Sequence, residues 1–147
     1  MSIALPIQLI VGDTGSYPCL ITGGTLVEAI FSFVVELSEG YSLNGSTITG
    51  PSSYSYTLEN GLYAESVSGN NKILINVKVE EESSLYFNTS HNITFILPAK
   101  LTESFKSGKY TYDISVKQDA DSMYTPIYSN AFNILPKINK IITISST

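Results

Sequence analysis

The chain has 147 residues, 43% of them hydrophobic and only 14% charged, with a formal net charge of −5 at pH 7. That length suits one domain whose core needs no staples, and a single cysteine excludes an internal disulfide and a Cys-rich metal site. The basic residues are all lysines, so a chain with net negative charge and no guanidinium group is not expected to bind nucleic acid directly.

The first candidate strand is PIQLIV, Pro6 to Val11. No basic stretch precedes it, and Pro6 and Gln8 interrupt it, so it lacks the make-up of a signal peptide. Nowhere does an apolar run approach the ~18 residues of a membrane span, and no membrane partner is expected. Cys19 reads as a small buried hydrophobe. In TLVEAIFSFVVEL, Val27, Ala29, Phe31, Phe33, Val35 and Leu37 share one face opposite Glu28, Ser32 and Glu36. Such period-two alternation predicts a half-buried strand.

From about Ser38 to Asn71 the composition shifts to Ser, Gly, Asn and Tyr. This tract reads as an excursion from the main fold: long loops or a small hairpin around Tyr54 to Tyr56 and around Leu62 and Tyr63. Alternation resumes in KILINVKVE, with Ile73, Ile75, Val77 and Val79 facing one way, and in NITFIL, with Ile93, Phe95 and Leu97. EEESSLYF reads as a further turn, its glutamates a solvated strand end. PAKLTESFKSG has a proline to start a helical turn and a glycine to stop it. KYTYDISVKQDAD then sets Tyr110, Tyr112, Ile114 and Val116 against Thr111, Asp113, Ser115 and Lys117. IYSNAFNIL and KIITIS complete the candidates. Short strands separated by glycine- and asparagine-rich turns predict an all-β antiparallel sandwich, with Phe31, Phe33, Tyr112 and Ile114 in its core.

Catalytic chemistry is hard to assemble from these residues. His91 is the sole histidine and falls in a predicted loop before a strand, where a surface or capping role is expected. No Gly-x-Ser-x-Gly elbow supports a serine nucleophile, and ITGGT lacks the lysine and the following helix of a phosphate loop. QDADS, with Asp119 and Asp121, resembles the start of a calcium loop, but the later glycine and closing glutamate are missing, and a hairpin tip explains it more simply. The expectation is a protein that is not an enzyme and holds no metal or cofactor.

Taken together, LPAKLTESFKSGKYTYDISVKQDAD and the following PIYSNAFNILP resemble the second half of an immunoglobulin-like structural module of tailed bacteriophages. The module is similar to the N-terminal domain of upper baseplate proteins. The matching positions are Gly108, Tyr110, Tyr112, Asp113, Ile114, Asp119, Asp121, Phe132 and Pro136, and upstream Ile21 to Thr25 is similar to the module's Leu-Thr-Gly-Ala-Thr strand start. Ser122 stands where the module has glycine, the GDT at 12–14 lies too close to ITGGT to be its opening strand signal, and the 38–71 tract is longer than it needs. The resemblance covers roughly residues 20–37 and 93–136 and implies an immunoglobulin-like antiparallel β-sandwich with at most one or two short helical turns; the length makes residues 1–147 a single domain.

It also implies a role: a non-catalytic virion structural protein, made in the host cytoplasm, that docks in many copies on a tail, baseplate, neck or capsid surface. Its partners would be other virion proteins and copies of itself. A capsid decoration protein is the alternative within that class. A carbohydrate-binding module, with weak glycan contact, is the alternative outside it. Low charge and ten tyrosines suit a surface that associates. The candidate interface residues are Tyr54, Tyr56 and Tyr63 in the excursion, and Ile141, Ile142 and Ile144 in the segment 137–147. That segment reads as a strand of the same sandwich or as an arm that adds to a neighbour.

Overall fold

The computed structural model describes residues 6–22, 26–67, 71–80, 90–119 and 122–137. In chain order the strands are β1 (Ile7–Ile10), β2 (Gly15–Thr22), β3 (Glu28–Glu36), β4 (Ser42–Asn44), β5 (Thr47–Thr49), β6 (Ser55–Thr57), β7 (Leu62–Ser66), β8 (Lys72–Glu80) and β9 (Ser90–Leu97). A single helical turn, α1 (Ala99–Thr102), precedes β10 (Gly108–Asp119) and β11 (Ser122–Leu135).

The protein is an all-β sandwich. Its large layer is a six-stranded sheet in the order β1-β11-β10-β3-β8-β7. The facing layer is the antiparallel pair β2-β9, and a three-stranded meander, β4-β5-β6, forms a separate small sheet. All pairings are antiparallel except β1 with β11, which is parallel. The arrangement is immunoglobulin-like: β3, β10 and β11 take the places of strands C, F and G, and β2 and β9 those of B and E in the other sheet.

The core lies where the two layers meet. Alternate residues of β3 (Ala29, Phe31, Phe33, Val35), β8 (Ile73, Ile75, Val77) and β10 (Tyr112, Ile114, Val116) are buried under Ile93, Phe95 and Leu97 of β9. Phe31 is at the centre, its ring 5.1–5.9 Å from those of Tyr17, Phe33, Phe95, Tyr112 and Phe132. Immunoglobulin domains of antibodies commonly pin this point with a disulfide and a tryptophan. Here a cluster of aromatic rings fills it. A tyrosine corner is kept: Tyr110, at the start of β10, donates its hydroxyl to the Lys106 carbonyl at 2.7 Å.

Asp113 performs a related local task. Opposite Tyr112–Ile114, β11 carries an extra residue, with Asn130 and Ile127 as the paired positions. Within that bulge Ser129 has φ 50°, and its backbone N–H, lost to the ladder, donates to the Asp113 carboxylate at 2.8 Å. The aspartate of the Tyr-x-Tyr-Asp run therefore fastens a bulge.

Four features differ from the sequence reading. β2 was not anticipated, because Pro18 and outward-facing Leu20 obscure the Tyr17, Cys19, Ile21 alternation; a proline is tolerated there because it sits on an edge strand. Val27 is 44% exposed while Leu26 is buried, since Val27 N–H bonds Lys117 O at 2.7 Å just before β3 begins and shifts the phase. His91 lies within β9, paired with Ile21, rather than in a preceding loop. The 38–71 tract divides: its first part is the meander, but its last strand, β7, is an edge of the main sheet. The predicted turn at EEESSLYF lies in 81–89, apart from Glu80, and Asp121 also falls outside the described residues.

Candidate functional site

The tyrosines singled out from the sequence are not gathered in one place. Tyr56 is buried in the meander beside Ile48. Tyr54 donates its hydroxyl to the Lys100 carbonyl of α1, and its ring meets Tyr41 edge-on at 5.2 Å and Lys100 Nζ at 5.4 Å. Burial, followed by the nearby Glu103 charge and then Tyr41 and Tyr56, pushes the Tyr54 hydroxyl up to about 12. Tyr54 thus fastens the meander to the body of its own chain, while Tyr56 packs within its apolar interior. Tyr63, by contrast, projects from β7 and is 54% exposed. Ile141, Ile142 and Ile144 lie outside the described residues.

A second region of interest lies beside β2. The β2-β9 layer is two strands wide over a sheet of six. Among the described residues β2 pairs only with β9, and its other edge meets no described strand. Beside that edge is an apolar cleft of about 360 Å³. Phe31, Tyr112, Ile114 and Ile127 form its floor, Ser16 to Cys19 of β2 one wall, and Pro6 to Gln8 the other. An apolar slot next to a free strand edge has the geometry that accepts an added strand: main-chain hydrogen bonds on one side and pockets for alternate side chains below. The sequence signal for it was the β2 alternation itself, with a proline on the strand.

Two titratable groups face this region. Burial raises the Cys19 thiol above its ordinary range, so it is a poor thiolate source and behaves as a packing residue. The Tyr17 hydroxyl is buried with no hydrogen-bond partner among the described residues, and burial pushes it up to about 12. A methyl group at Gly15 would collide with that hydroxyl, which accounts for glycine at the first position of β2.

A pH prediction follows. Between pH 10 and 12 the unfolded chain ionises Tyr17 while the folded chain retains its proton, so the folded state binds more protons and loses stability as pH rises. Its contribution is present in full below pH 10 and is gone by about pH 12. Tyr17→Phe should raise stability at pH 7 by about 1 kcal/mol, by removing an unpaired buried hydroxyl. It should also flatten the fall of Tm between pH 10 and 12, leaving the share due to Tyr54 and to Tyr41, Tyr56 and Tyr110, whose hydroxyls burial also raises. A Phe variant that melts lower than the parent at pH 7 would show that the hydroxyl has a partner in solution.

Among the described residues no three His, Cys, Asp or Glu side chains converge as a metal site, and no helix is long and apolar enough to cross a membrane. No family model matches the chain, and no curated protein matches it. Among solved structures, a DUF4466 family protein from Parabacteroides merdae is similar over 90% of this chain, at 13% identity and a TM-score of 0.33. The chain spans 42% of that protein's length, and a likeness this remote assigns neither a family nor an activity.

Proposed function

We propose that this is a non-catalytic structural protein of a bacteriophage particle, docking in many copies by strand addition at the β2 edge. The apolar cleft beside that edge, which meets no described strand, is the observation that carries the docking mode. The phage setting rests on the resemblance at Gly108, Tyr110, Tyr112, Asp113 and Phe132.

The occupant is the segment 137–147 of a neighbouring copy. KINKIITISST is rich in β-branched residues, and in an extended strand Ile142 and Ile144 would share one face with Ile141 on the other. Extended, it reaches roughly 33–37 Å, enough to run the length of β2. Lys137 pairs with Asp13 at 3.7 Å, in the turn that links β1 to β2.

Deleting residues 137–147 and measuring oligomeric state together with Tm tests this. The expected result is a full-length protein that associates and a truncated one that is monomeric, with its Tm essentially unchanged. A truncated protein that melts far lower would make the segment a strand of its own sandwich. Unchanged association would place the contact elsewhere. In purified particles, a stoichiometry in the hundreds would favour capsid decoration, and six to a few dozen copies a tail, neck or baseplate position.

A further inference from the structure

The outer face of the large sheet carries a second depression, of about 310 Å³, on the side away from the core. The geometry points to a binding groove for a neutral oligosaccharide. Three strands set its centre in register: Tyr63 of β7 is opposite Asn76 of β8, and Asn76 is opposite Ser32 of β3. In the next row Lys78 is opposite Ile30, which is opposite Ser115 of β10. Met123 of β11 closes the far side.

The chemistry of these side chains selects the ligand. Tyr63 and Met123 are 54% and 55% exposed, and supply apolar surface at opposite sides of the groove. An aromatic face suits the C–H face of a sugar ring. The floor between them combines the Ile30 side chain with the hydroxyls of Ser32 and Ser115 and the amide of Asn76. Ser32 Oγ donates to Asn76 Oδ1 at 2.6 Å, which fixes the amide orientation and leaves its N–H groups for a ligand. Ser115 shares one hydrogen bond with Thr125 at 3.0 Å and keeps further capacity.

Charge separates this ligand from an anionic one. The groove's cation, Lys78, lies 3.2 Å from the Glu28 carboxylate, so the pair is close to neutral. The same ammonium sits 5.1 Å from the Tyr63 ring centre and steadies that ring against the sheet. A groove of this size fits one or two sugar rings, at the small end of ligand sites. Because it lies on the face opposite the β2 cleft, it is independent of how copies dock.

Binding of a panel of neutral hexasaccharides built from glucose, mannose, galactose or N-acetylglucosamine, alongside sialylated and sulfated ones, tests the groove. At least one neutral member should bind and shift the backbone amide signals of Ser32, Tyr63 and Asn76. Tyr63→Ala and Asn76→Ala should each weaken binding about tenfold, equivalent to the loss of one good contact. Both variants should keep the parental Tm, and Tyr128→Ala, at an exposed position outside the groove, should bind as the parent does. The chain truncated at 136 should also bind, whatever its association. No binding across the panel, preference for the acidic members, or binding insensitive to Tyr63→Ala would each overturn the proposal.

Discussion

Phe31→Ala is expected to cost about 3–5 kcal/mol, the range for removing a fully buried aromatic ring, and to lower Tm by about 10 °C or more. The ring is fully buried and meets Tyr17 from β2, Phe95 from β9, Phe33 on its own strand, Tyr112 from β10 and Phe132 from β11. Both layers of the sandwich are thus held at one point. The surrounding side chains belong to five different strands and have little freedom to close over the space together. Phe31→Leu should cost noticeably less, since most of the volume remains. Thermal and urea melts of the two variants check the order; an Ala variant that melts like the parent would place the two layers' contact elsewhere.

Thr102→Val should cost about 2–3 kcal/mol, although the two side chains have nearly the same shape. Thr102 is fully buried at the end of α1. Its Oγ1 accepts from Gly12 N–H at 3.2 Å, and its hydroxyl hydrogen lies between the carbonyls of Asp13, at 2.8 Å, and Ala99, at 3.2 Å. Valine leaves the Gly12 donor and the Asp13 acceptor without that partner, and loosens the β1–β2 turn from the turn before β10. Thr102→Ser keeps the hydroxyl and should retain most of the stability. Hydrogen exchange at Gly12 provides a local readout and should quicken in the valine variant alone. A loss below about 0.5 kcal/mol, the range of ordinary surface changes, would rule out this role for the hydroxyl.

The all-β class and the inner faces of β3, β8, β9 and β10 could be derived from the amino-acid order. In those strands alternate residues are apolar over six to nine positions, and a half-buried strand alone satisfies that pattern. The helical turn at Ala99–Thr102 was legible at its start, because Pro98 precedes it, but not at its end: it stops at Thr102, and Gly108 opens β10 instead. Local rules failed where two influences competed on one strand. In β2 the inward alternation of Tyr17, Cys19 and Ile21 is overlaid by Pro18 and Leu20 on the outer face. In the tyrosine-rich tract, three residues of similar chemistry took different places. Tyr54 met a carbonyl on α1 that is 46 positions away, Tyr56 fell into the core, and Tyr63 landed on an exposed sheet face.

By itself the sequence therefore determined that β3, β8, β9 and β10 are strands and which faces they bury, since both follow from side-chain period and the cost of exposing apolar surface. Only the tertiary structure decided where a partner or ligand has room. The β2 cleft lies where, among the described residues, the second layer has two strands over a sheet of six. The outer groove exists because β7, β8 and β3 place Tyr63, Asn76 and Ser32 side by side in register. Strand order and register are set by contacts between segments far apart in the chain, and no local pattern of residues encodes them.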